Sequence, residues 1–254
     1  MRGHQVVRGP REAPTDGGKT HNTPRGEQLT NRWQTEYTGA CCTIRPTDHA
    51  ADSLPGVEIT ARGIEGVWEF TPVLRADDRG VFLESFKASV FEEAVGHPLD
   101  LQQMNISVSK AGTVRGVHFA DVPPGQAKYV QCFSGRILDV VVDIRVGSPT
   151  FGQWDAVELD DQRRNGLYLA EGLGHAFCAL SDEVIVGYLC SEPYAPSHEH
   201  GITPVDPALG LPWPDMELLL SPKDAAAPTL AQAAEQGLLP RYDECVAFIE
   251  ELRS

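Results

Sequence analysis

From Val57 onward the sequence is broken into short apolar or alternating runs, each closed by turn residues before a helix of ordinary length can form. Runs of this kind suit strands, which need only about four to eight residues, whereas helices usually need roughly ten or more. Val57 to Ala61, Val67 to Phe70 and Gly80 to Ser85 read as strands, and the pattern returns at Gln102 to Ser109, Val114 to Phe119, Ala127 to Phe133 and Arg136 to Ile144. It continues at Trp154 to Leu159, Gly166 to Leu169, His175 to Leu180 and Val184 to Cys190. Phe86 to Val95 instead places Phe86, Val90, Phe91 and Ala94 on one helical face, and helical periodicity comes back only at Thr229 to Glu235 and Tyr242 to Leu252. No internal repeat is visible. Short strands at this spacing predict an all-β sandwich or barrel with short peripheral and C-terminal helices.

With 254 residues, 41% of them hydrophobic, the chain is long enough for one sizeable core. Met1 to about Pro55 is polar and rich in Gly, Pro, Thr and Arg, without sustained periodicity. Such a segment buries too little apolar surface to offset its ordering entropy, so residues 1–56 are expected to be a disordered N-terminal extension and residues 57–254 the folded domain. Because ordered patterning begins near Val57, the native chain is expected to start there.

Charge divides at the same place. Up to Glu65 there are eight Lys/Arg and eight Asp/Glu, so the remaining 13 basic and 28 acidic residues put the whole net charge of -15 downstream. Nucleic acid and anionic membrane are therefore not expected as partners of the main domain, while a small anionic substrate is compatible with a local convergence of arginines. The cysteines, Cys41, Cys42, Cys132, Cys178, Cys190 and Cys245, lack C-x-x-C spacing, and three lie in strand-like runs, so reduced, mostly buried thiols are expected. No apolar run approaches the roughly 18 residues of a membrane span and no signal core is present, which makes the cytoplasm the expected location.

The run Val114-Arg115-Gly116-Val117-His118-Phe119 stands upstream of Lys128, Tyr188 and Ser221-Pro222-Lys223-Asp224. A histidine, a lysine, a tyrosine and an aspartate suffice to remove a proton beside a carbonyl, stabilise the enolate and return a proton elsewhere, with no metal and no cofactor. Each also has a structural explanation: His118 as a hydrogen-bonded strand end, Lys128 as a solvated strand residue, Tyr188 as a core aromatic, Asp224 as a helix N-cap ahead of Ala225-Ala226-Ala227. Gln103 and Asn105 share a strand face, and Lys128 shares one with Val130 and Cys132. Arg115 and His118 are three apart, which strict alternation puts on opposite faces; a bulge at Gly116 would turn both inward. Arg79 is by default a turn residue.

In combination the odds change. Asp77-Asp78-Arg79-Gly80, Gln103-Met104-Asn105, Arg115-Gly116-Val117-His118, Lys128, Asp139-Val140-Val141-Val142-Asp143-Ile144-Arg145, Gly147-Ser148-Pro149-Thr150-Phe151-Gly152, Glu171-Gly172-Leu173-Gly174-His175 and Ser221-Pro222-Lys223-Asp224 follow one another in this order. The set strongly resembles the dTDP-4-dehydrorhamnose 3,5-epimerase family, nearly continuously from about Val57 to about Ala234. The resemblance implies a cupin-type antiparallel β-barrel, or jelly roll, working as a homodimer on a dTDP-4-keto-6-deoxy-hexose, for dTDP-rhamnose or an antibiotic deoxysugar. It implies His118 as general base, Asp224 as the carboxylate that orients it, Tyr188 as proton donor on the opposite face of the sugar ring, and Lys128 beside the C4 oxygen. Arg79, Glu84, Gln103, Asn105, Arg115, His175, Glu199 and Lys223 match substrate-binding positions, and Tyr194 matches the aromatic that stacks on thymine.

The chain also departs from the family pattern. Ala120 stands where Gln is common, Leu189 where Lys is usual and Pro204 where an aromatic is common, and Gly172-Leu173-Gly174-His175-Ala176-Phe177 differs from the usual G-F-A-H-G-F. None of these touches His118, Asp224, Lys128 or Tyr188, but together they leave open whether C3, C5 or both carbons invert. A mono-epimerase is thus the nearest alternative. A metal-dependent cupin wants two close histidines and a carboxylate, whereas His118 and His175 are far apart in sequence. A sugar-nucleotide-binding barrel without catalysis would not require the full acid and base set.

Overall fold

The computed structural model describes residues 56–254, and the extension expected over residues 1–56 lies, but for Gly56, outside the described residues. β1 (Val57–Ala61) and β2 (Val67–Pro72) pair as a hairpin, followed by a small one made of β3 (Arg75–Asp77) and β4 (Gly80–Phe82) and by helix α1 (Ala88–Val95). The central strands are β5 (Gln103–Lys110), β6 (Val114–Ala120), β7 (Lys128–Ser134), β8 (Arg136–Val142), β9 (Trp154–Asp160), β10 (Gly166–Leu169), β11 (Gly174–Ala179) and β12 (Glu183–Cys190). The short β13 (Glu199–Gly201) and helices α2 (Pro222–Ala225), α3 (Leu230–Glu235) and α4 (Tyr242–Leu252) complete the chain.

The strands form a six-stranded sheet, β1-β2-β10-β7-β12-β5, and a five-stranded sheet, β13-β6-β11-β8-β9, with every pairing antiparallel. These are the two faces of the jelly roll that the resemblance implied. Val130, Cys132, Ile137, Val141, Leu159, Phe177, Val184 and Val186 form the core that holds them together. Other apolar residues cover the outer faces. Phe91 and Val95 of α1 pack with Phe70, Tyr129 and Tyr168 on the first sheet, and Ile202, Leu209, Ala233 and Leu239 pack on Val140 and Val142 of the second. Strands covered on both faces lose alternation, which is why β11 is buried at every position.

The expected elements are present, with differences at their edges. α4 has the predicted bounds, and α3 starts on a Thr229 cap whose side chain and Gln232 satisfy each other's backbone N–H groups. α1 begins at Ala88 rather than Phe86, because Lys87 is still extended and Phe86 packs against Tyr129 instead. Asp224 is not the cap of α2: Ser221 is, its hydroxyl accepting the Asp224 N–H at 3.0 Å. This leaves the Asp224 carboxylate free for another partner. Cys132, Cys178, Cys190 and Cys245 are free and buried, while Cys41 and Cys42 lie outside the described residues.

Candidate active site

A cavity of about 360 Å³ opens between the sheets, lined from β5, β6, β7, β11, β12, β13 and the start of α2. Eleven of the sequence-selected residues border it: Gln103, Asn105, Arg115, His118, Lys128, His175, Tyr188, Tyr194, Glu199, Lys223 and Asp224. The cationic side chains Arg115, Lys128 and Lys223 thus converge inside an acidic chain, one arginine and two lysines rather than several arginines.

The convergence of Arg115 and His118 depends on a bulge in β6. His175 pairs with His118 and Phe177 with Arg115, so Gly116 and Val117 together oppose the single residue Ala176. Gly116 has φ 121°, and a Cβ there would collide with the His175 carbonyl and Ala176, so only glycine fits. The expected bulge is present, and it puts both side chains on the cavity.

His118 Nε2 lies 2.7 Å from Asp224 Oδ1, and the other Asp224 oxygen accepts the Ser221 hydroxyl at 2.8 Å. Burial raises the Asp224 pKa, but the hydrogen bond and charge of His118, the Ser221 hydroxyl and Lys223 outweigh it and hold the carboxyl below its usual value. An ionised Asp224 fixes a proton on Nε2 and leaves Nδ1 able to accept one, and it stabilises the imidazolium so formed.

Tyr188 and Lys128 come from the sheet opposite His118. Burial raises the Tyr188 pKa, so its hydroxyl keeps a proton. Lys128 is 8% exposed and shares the inner face with Val130 and Cys132, as expected. Burial pulls its pKa down against the opposing pull of the carboxylates Glu199 and Glu171. A desolvated ammonium in this position stabilises nearby negative charge more strongly than one in water.

A second histidine–aspartate pair adjoins the first. His175 Nε2 meets Asp139 Oδ1 at 3.0 Å and Oδ2 at 2.9 Å, and both residues are buried. Sequence reasoning missed Asp139, although an aspartate inside Leu138-Asp139-Val140-Val141-Val142 is itself a signal, since buried carboxylates need a partner. Gln126, Ser221, Phe119, Ala120 and Phe177 also line the cavity unforeseen.

Arg79 and Glu84 do not line this cavity. Arg79 sits on the β3–β4 turn with its side chain 89% exposed and bound to Asp77, and Glu84 pairs with Lys87 beside a separate small crevice. Among the described residues no group of three or more His, Cys, Asp or Glu is placed to hold a metal ion, and no helix is long and apolar enough to cross a membrane.

The chain is similar to known proteins in both sequence and fold. The sequence is 58% identical over 198 residues to a dTDP-4-dehydrorhamnose 3,5-epimerase of Mycolicibacterium smegmatis, covering 77% of this chain and 98% of that one. The fold matches a 4-keto-6-deoxy sugar epimerase from the novobiocin cluster of Streptomyces spheroides, with a TM-score of 0.73 and 56% identity over 74% of this chain and 95% of the other. It also matches a 3'-monoepimerase from Streptomyces bikiniensis in complex with dTDP-quinovose, with a TM-score of 0.74 and 48% identity over 76% and 98% of the two chains. The family model described as dTDP-4-dehydrorhamnose 3,5-epimerase matches residues 61–232, and the chain belongs to that family.

Proposed function

We propose that the protein epimerises a dTDP-4-keto-6-deoxy-hexose at C3 and C5, by proton abstraction next to the C4 ketone. The observation that carries this reading is the His118–Asp224 pair on one sheet, with Tyr188 and Lys128 on the other and the cavity between them. His118 removes a proton from one face of the sugar ring, Lys128 stabilises the enolate oxygen at C4, and Tyr188 returns a proton to the other face, which inverts the carbon. The ketone acidifies the hydrogens at both C3 and C5, so one base serves both centres. Arg115, Lys223, His175, Gln103, Asn105 and Glu199 hold the substrate, and Tyr194, 57% exposed, offers a ring to stack on the base.

Turnover in deuterium oxide tests this. Label at both C3 and C5 of the product is expected, and absence of any exchange sinks the reading. A second reading, inversion at C3 alone, is favoured by the similarity to the 3'-monoepimerase, and label confined to C3 would establish it.

The working unit we propose is a cytoplasmic homodimer. β5 is an edge strand turned inside out, with Gln103 and Asn105 on the cavity and Met104, Ile106 and Val108 exposed by 51%, 61% and 58%. Val81 and Phe82 of the β3–β4 hairpin are likewise exposed. Apolar edges of this kind call for a covering surface, and in the proposed dimer the segment from Arg79 to Glu84 reaches the partner's substrate. The unpaired buried thiols suit a reducing compartment.

A further inference from the structure

The inward face of β5 carries a hydrogen-bond relay whose direction is set at one end. The Tyr194 backbone N–H, which can only donate, binds Gln103 Oε1 at 3.0 Å. That orients the Gln103 amide, whose Nε2 donates to Asn105 Oδ1 at 2.8 Å. Asn105 is oriented in turn, and its Nδ2 donates to Cys190 Sγ at 3.6 Å. Cys190 is wholly buried and lies opposite Gln103 on one side and Lys128 on the other. Both amide oxygens are engaged within the relay, and each amide nitrogen has spent one of its two hydrogens there. Each amide nitrogen therefore keeps one N–H to offer the cavity.

We infer that Cys190 is a positioning residue: its sulfur accepts the last N–H of the relay and so holds the Asn105 amide in place, where the relay amides present N–H donors to acceptor groups of the substrate such as the phosphate oxygens of a nucleoside diphosphate. The inference rests on reading the cavity as a nucleotide-sugar site. Without an acceptor at position 190 the Asn105 Nδ2 hydrogen loses its buried partner, and the amide, held then only through Gln103, is free to tilt off the cavity wall. The thiol is suited to its task because burial raises its pKa and keeps it neutral, so it accepts without adding a charge beside Lys128.

Two substitutions separate this role from simple packing. Cys190→Val keeps the volume and removes the acceptor, whereas Cys190→Ser keeps an acceptor and loses volume. In the full-length chain, Cys190→Val is expected to raise both KM for dTDP-4-keto-6-deoxyglucose and the calorimetric Kd of dTDP by roughly three- to tenfold, the worth of one lost hydrogen bond. Its kcat stays within about twofold, and Cys190→Ser stays within about twofold of the unsubstituted chain in all three quantities. If valine matches cysteine, or serine loses as much as valine, Cys190 only fills space and the inference is overturned. Failure of the unsubstituted chain to turn over the sugar would instead overturn the epimerase reading, and the dTDP titration would still decide the role of Cys190.

Discussion

Two histidine–aspartate pairs stand side by side in this cavity, and they differ in what surrounds them. His118 and His175 oppose each other on β6 and β11, and each uses Nε2 to meet an aspartate. The side chain of His118 is 38% exposed and that of His175 only 9%. Asp224 divides its oxygens between His118 and Ser221 at the start of a short helix, while Asp139, wholly buried in β8, turns both oxygens on His175. We propose that the same residue types do different work here. A base must reach substrate and exchange its proton, which suits the open pair. A clamped, buried imidazole keeps one orientation, which suits holding a ligand and the strand beside it.

The sharpest way to break this contrast is to remove each ring. His118→Ala should lower kcat by about 10³-fold, the scale of general base catalysis, while His175→Ala acts mainly on KM. Equal kcat losses in steady-state assays would end the distinction. Tyr188→Phe tests the other half of the open pair's task. It should cut epimerisation by about 10²-fold or more yet leave solvent deuterium exchange by His118 measurable, and simultaneous loss of both would assign Tyr188 a different role.

Lys128 sharpens the comparison through pH. Its pKa is lowered by burial, so kcat should fall as pH rises through a value below 10.5, where the ammonium is lost. Glu171, buried and hydrogen-bonded to Ser191, is one of the carboxylates opposing that shift. Glu171→Gln should move the alkaline limb of the kcat profile toward lower pH by a fraction of a unit, and an unmoved limb would exclude this coupling.

The smallest effects concern stability. Asp139→Asn disturbs a fully buried pair and should cost about 1–3 kcal/mol in denaturant unfolding at neutral pH. Asp224 has a lowered folded pKa, so its contribution is complete above the ordinary value of 3.8 and disappears as pH falls through the lower folded value. The stability gap between the unsubstituted chain and Asp224→Asn should therefore close only under strongly acidic conditions, and a gap that closes near neutrality would contradict the geometry.

Much of this was legible from local pattern. The bounds of Tyr242–Leu252, the capped helix after Thr229 and the bulge at Gly116 all follow from neighbours within a few residues. The short strands Arg75–Asp77 and Glu199–Gly201 went unread, since three residues carry no periodicity and each exists only through its partner strand. Asp139 stayed unassigned for a related reason: its charge marked it as special, but only the pairing of β8 with β11 supplies His175. β5 reads as an ordinary alternating strand, and the sequence alone does not tell which face is inward. Its polar face turned out to line the cavity, leaving Met104, Ile106 and Val108 outside.

By itself the sequence determined the lengths of the strands, the places where the chain turns and the stock of reactive side chains, because these depend on steric and hydrophobic preferences acting over a few residues. Only the tertiary structure decided that His118 meets Asp224, 106 residues away, that Tyr188 and Lys128 oppose them, and that Arg79 and Glu84 stand off this cavity. Hydrogen bonds and desolvation act through space over a few ångströms, so the shifted pKa values of Asp224, Tyr188 and Lys128 are properties of the folded cavity.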